Sequence, residues 1–161
     1  MMSTPLPELP FVLFALLLHF VWEMLQAPLW VGMANLAHAD GVRVCAIAAL
    51  GDVVIALAAY WSATLYARSR LWLLDPPRAT WAVYIVVGLV LTVAYEYAAT
   101  GAFARWEYAA SQPRLPVLGT GLAPVLQWLL LPPLTVWLTR IHVLGRMSGR
   151  ATRAGQRSRS N

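Results

Sequence analysis

Four runs of mostly apolar residues, covering 11–31, 44–66, 80–100 and 121–141, alternate along this chain with short breaks rich in proline, glycine and charge. A membrane crossing needs roughly 20 such residues, so the pattern predicts an all-α bundle of four transmembrane helices. The breaks read as "ADG" around Asp40, "DPPR" at 75–78 and "QPRLP" at 112–116. Pro132 and Pro133 fall within the fourth run, where loss of backbone donors is expected to kink the helix. Beyond it the pattern changes, and 143–161 is polar, arginine-rich and without apolar periodicity. The expected organisation is a membrane domain over 1–142 and a disordered cytoplasmic tail over 143–161.

Composition strengthens this reading. The chain is 60% hydrophobic and 12% charged, against about 45–50% and about 25% in a typical soluble domain. Too little charge is present to cover a water-facing surface. "LAHAD" offers Ala37 and Ala39 in the small-x-small spacing of a signal-cleavage site. However, no basic residue precedes the first run, which is too long for a signal core and contains Glu23, so a retained helix is expected.

All 12 basic residues are arginine. Arg68, Arg70, Arg78, Arg140, Arg146, Arg150, Arg153, Arg157 and Arg159 fall on one side of the predicted topology. Arg43, Arg105 and Arg114 fall on the other. The excess predicts that both termini are cytoplasmic in a multi-pass protein of the cell inner membrane. The basic tail fits anionic lipid better than nucleic acid, so lipid is the expected partner and nucleic acid is not.

Within the apolar runs lie Glu23, Asp52 and Glu96. A charge at a helix centre costs about 2.5–3.5 kcal/mol on insertion scales. Such groups should therefore face the bundle interior, pair, or keep their protons. In the predicted topology Glu23, Asp52, Glu96 and Gln127 lie roughly 6–12 Å below the same interface, at 1.5 Å per residue. All four helices thus bring a polar group to one layer, near the outer leaflet.

Helical periodicity adds neighbours. His19, Glu23, Gln26 and Trp30 fall on one stripe of the first run. Asp52 aligns with Ala48, Ala56 and Ala59, small residues that admit a neighbouring helix. Thr92, Glu96 and Thr100 share a face with Tyr95 and Tyr97 beside the acid, and Gln127 and Trp128 sit on the outer side of the prolines. The 101–120 connection is longer than two antiparallel helices require. Its Phe103, Trp106 and Tyr108 read as interfacial anchors, or as a lid with Arg105 and Glu107 near an entrance.

Three functions fit these residues. The first is acid–base catalysis on an apolar small molecule dissolved in the membrane: isomerisation, cyclisation or hydration of an isoprenoid or other lipid. A carboxyl in a low-dielectric pocket holds its proton to near neutral pH and can donate it, a second group can accept a proton elsewhere, and aromatic faces can stabilise a developing cation. Glu23, Glu96, Asp52 and His19 are then the candidate catalytic residues, with Gln26, Gln127, Trp128 and Tyr97 shaping the substrate pocket. The layout is similar in style to small membrane terpene cyclases and sterol isomerases, although no motif aligns with theirs and the likeness assigns no residue.

The second reading is an accessory protein whose polar cluster only locks the helices, and the third is proton-coupled transport. His19 and Glu23 have the i, i+4 spacing of a metal-ligand pair, but a single histidine at the right depth leaves no metal expected. Phosphate loops, GxSxG and CxxC motifs are absent, Cys45 stands alone, and no cofactor is expected.

Overall fold

The computed structural model describes residues 6–116 and 119–159. Helix α1 spans Glu8–Gln26, α2 His38–Ala67, α3 Arg78–Tyr97 and α4 Leu122–Arg159. Four helical segments are long and apolar enough to cross a membrane: Glu8–Leu29, His38–Ala67, Arg78–Ala102 and Leu122–Gly149. In the described residues the chain is all-helical apart from turns and two isolated antiparallel bridges.

Local chemistry sets the helix ends. Pro28 lacks the N–H that would continue α1, and the chain passes through a short 3-10 turn at Ala27–Leu29 before Gly32 turns it with a φ of 85°. The first helix is therefore shorter than the apolar run, and Trp30 and Val31 lie outside it. Helix α2 starts at His38, six residues before its run, because Asp40 sits favourably in the first turn and "ADG" does not break it. Arg68 closes α2 in a left-handed conformation, its N–H reaching the carbonyls of Thr64 and Leu65. Pro77 caps α3, where a missing N–H costs nothing. Helix α4 keeps helical backbone through Pro132 and Pro133 and on to Arg159, across the segment from 143 where no regular structure was expected.

The helices pack in a ring, α1 beside α2 and α4, and α3 beside α2 and α4. One end holds an aromatic core of Phe11, Tyr60, Trp72 and Tyr84, with Tyr60 and Phe11 rings 4.9 Å apart. There the Glu8–Arg70 ion pair, 2.7 Å, ties the start of α1 to the connection after α2. Outward positions such as Leu13, Leu17, Ile47, Val54, Val90 and Leu130 are exposed and apolar, whereas His19, Glu23, Glu96 and Gln127 are buried. Apolar outside and polar inside is the arrangement of a multi-pass membrane protein.

Candidate acidic cavity at one end of the bundle

Gln127 of α4 is the hub of the site. Its Nε2 lies 2.7 Å from His19 Nδ1, 2.8 Å from Asp52 Oδ2 and 3.5 Å from Glu23 Oε1. The His19 tautomer sets whether Nδ1 accepts from this amide or donates to Asp52. Asp52 Oδ2 is also 3.3 Å from His19 Nδ1. One side chain thereby joins α1, α2 and α4. On α1 the chain of bonds continues, with Gln26 Nε2 donating to Glu23 Oε1 at 2.6 Å and Trp22 Nε1 donating to Gln26 Oε1 at 3.1 Å. These links need the i+3 and i+4 spacing of one helical face.

Trp128 backs this network without lining the cavity. Its ring is fully buried, 5.9 Å from the His19 ring, and it lies against Gly88 of α3 so closely that any Cβ at 88 would fall within the indole. Gly88 belongs to a buried i, i+4 stripe along α3 of Thr80, Tyr84, Gly88, Thr92 and Glu96.

Glu96 has a different partner. Tyr108, from the connection between α3 and α4, donates its hydroxyl to Glu96 Oε2 at 2.5 Å. Burial and this bond to the carboxylate push the Tyr108 phenol above its ordinary range. The connection reaches the site because its backbone pairs with the segment after α1: Val31 N donates to Glu107 O and Ala109 N to Leu29 O, both at 2.9 Å. Trp30, in extended conformation, stacks on Tyr108 at 4.9 Å and meets Trp106 edge-on at 5.8 Å. The turn that launches the strap follows a π-helical turn at Ala98–Ala102 and places Ala104 at φ 43°.

Between the network and the strap lies a cavity of about 360 Å³. Glu23, Asp52 and Glu96 line it together with Gln26, Trp30, Tyr95, Trp106 and Thr92. Ile47, Ala48, Gly51, Val54 and Ile55 of α2 and Pro124 of α4 complete the wall; Ile47 and Val54 are 60% and 67% exposed on the outer flank of α2, so the cavity opens sideways at the flank of the bundle. A smaller adjoining space of about 210 Å³ shares Glu23, Trp30 and Trp106 and is edged by Arg105, whose Nη1 is 3.4 Å from Tyr95 Oη.

Of the residues singled out in the sequence, Glu23, Asp52, Glu96 and Gln26 line the cavity, and His19 and Gln127 hold its acids from behind. Trp128 is a support for His19. Tyr97 is not brought to the site: one residue past Glu96 it is turned about 100° away and is 74% exposed. Trp30 reaches the cavity by extended backbone rather than along the α1 stripe. Tyr108 was read only as an interfacial aromatic or part of a lid, and Trp106 likewise. Nothing in local sequence marks a phenol as the partner of a carboxyl twelve residues earlier across an irregular loop. Among the described residues no three His, Cys, Asp or Glu side chains converge as metal ligands would.

Comparison with protein-family models, curated proteins and solved structures finds no match for this chain.

Proposed function

We propose that this membrane-type bundle is an acid–base enzyme acting on an apolar substrate that enters from the lipid phase, an isomerase, cyclase or hydratase of an isoprenoid or related lipid. The observation that carries this reading is the sideways-opening cavity lined by three carboxyl side chains and by Trp30, Tyr95 and Trp106. A structural polar network has no need of empty space beside its acids.

In this reading the acids act on opposite sides of the substrate. Glu23, held by Gln26 and Gln127, and Glu96, held by Tyr108, are the proton donor and acceptor; Asp52, fixed by Gln127 and His19, sets the charge between them. A proton given to a carbon–carbon double bond creates a cationic centre, which the aromatic faces stabilise. Loss of a proton from a neighbouring carbon to the second carboxylate then completes an isomerisation. With both termini cytoplasmic, the cavity lies toward the outer leaflet of the inner membrane.

The test is incubation of the protein with a total lipid extract in deuterium oxide. The expected result is a lipid species that gains deuterium with wild type and not with Glu23→Gln or Glu96→Gln of equal thermal stability. An extract left unchanged by every form would overturn the reading.

One observation favours a second reading, a non-enzymatic accessory protein: Gln127 ties three helices together through bonds that need no substrate. Proton-coupled transport has less support, because Trp128 packs over Gly88 between the acidic layer and the hydroxyls of Tyr84 and Thr80.

A further inference from the structure

At the opposite end of the bundle a second cavity of about 360 Å³ is lined by Leu73, Pro76, Arg78, Trp81, Pro133, Val136, Trp137 and Arg140. Its lining is of two kinds. Leu73, Pro133 and Val136 are apolar, and Arg140 lies seven residues beyond Pro133 on α4, roughly 10 Å along the axis, which gives the cavity a polar end. Arg78, the first residue of α3, lines the same cavity, as do Trp81 and Trp137.

The charged lining is cationic, and Asp75, next to Pro76, is the nearest acid along the chain and pairs with neither arginine. No acid lines the cavity, and neither arginine forms an ion pair with a described carboxylate. The N-terminus of α3 adds to this, since Pro77 offers no side-chain acceptor and the first-turn N–H groups have no partner within the helix. Two guanidinium forks beside a 20-residue helix start are suited to a phosphate. A free phosphate would leave the apolar end unfilled. A phospholipid fills both, with its phosphate on Arg78 and Arg140 and an acyl chain along Pro133, Val136 and Trp137.

We propose that this cavity is a binding site for one anionic glycerophospholipid, separate from the acidic cavity and independent of its reading. The polar end discriminates against a zwitterionic head group, whose cationic moiety would meet two guanidinium groups. An arginine near an anionic head group is worth on the order of five-fold in affinity, so the pair gives roughly 25-fold.

The experiment is native mass spectrometry of the full chain, titrated with phosphatidylglycerol or with phosphatidylcholine of the same acyl chains. Wild type should retain a single phosphatidylglycerol at roughly 25-fold lower concentration than phosphatidylcholine. Arg78→Gln/Arg140→Gln should abolish that preference, whereas Arg146→Gln, outside the cavity, should keep it. Equal retention by the double variant, or an equal loss in Arg146→Gln, would reduce the effect to diffuse charge and overturn the proposal. Displacement of the lipid by glycerol phosphate at the same concentration would assign the site to a soluble phosphate instead. Should the double variant melt early, Arg140→Lys serves: it keeps the charge and loses the fork, and should weaken binding by a few-fold at unchanged melting temperature.

Discussion

Replacing Gln127 with leucine tests whether the hub holds the helices together. The change keeps the volume nearly constant, so no cavity term arises, and what is lost is the bonds at 2.7 and 2.8 Å to His19 and Asp52 and the longer one to Glu23. Interhelical polar contacts in membrane proteins average about 0.6 kcal/mol each, which for the two short bonds gives about 1.2 kcal/mol. A buried acceptor left without any partner costs about 1–3 kcal/mol. That larger figure does not apply in full here. With its ring proton on Nδ1, His19 can donate to Asp52, already 3.3 Å away, and Glu23 keeps Gln26. The expected loss is therefore about 1–2 kcal/mol, or about 2–8 °C in melting temperature. Loss of helical circular dichroism on heating reads the shift. A Gln127→Leu protein that melts with wild type would refute the locking role; a loss well above 3 kcal/mol would show that His19 does not rearrange.

Gly88→Ala should destabilise by about 1 kcal/mol, an overpacking cost of about 1–3 kcal/mol against Trp128 less the helix-propensity gain of nearly 1 kcal/mol; with Trp128→Phe the sign should reverse, and circular-dichroism melts of the four combinations would decide. Tyr108→Phe should cost about 0.5–3 kcal/mol, the range from a neutral hydrogen bond to one on a charged group, and hydrogen exchange should rise over 103–110. Because the Tyr108 phenol is pushed up in the folded protein, the unfolded phenol ionises first as the pH rises past about 10. Wild-type stability should fall there, more steeply than that of Tyr108→Phe, and parallel alkaline slopes would contradict this account. Ala104→Gly should be neutral to stabilising by up to about 1 kcal/mol at its φ of 43°, whereas Ala104→Val should lose at least about 1 kcal/mol; equal melts for both would remove strain from the turn.

The acidic layer was legible because two one-dimensional signals carry it. Apolar run length locates each crossing, and depth then follows from residue count at a constant helical rise. The stripes of His19, Glu23 and Gln26 and of Thr92 and Glu96 follow from the 3.6-residue period. Those signals fail where the backbone leaves the helix. Trp30 was placed on the α1 stripe because apolar character continues past Pro28, and Tyr97 was placed at the site because adjacency in sequence says nothing of a 100° rotation.

By itself, then, the sequence determined an all-helical chain with four segments able to span a membrane, and the level at which their polar side chains gather. Hydropathy and helical geometry are local, and a local property can be read from local residues. Only the tertiary structure decided that Gln127 joins three helices, that Trp128 seats against Gly88, and that Tyr108 closes onto Glu96 through a strap paired with residues 29–31. It also decided that the acids border an open cavity. Each of these depends on which surfaces meet after the helices pack, and hydrogen bonds and ring contacts between residues up to 108 positions apart leave no local trace.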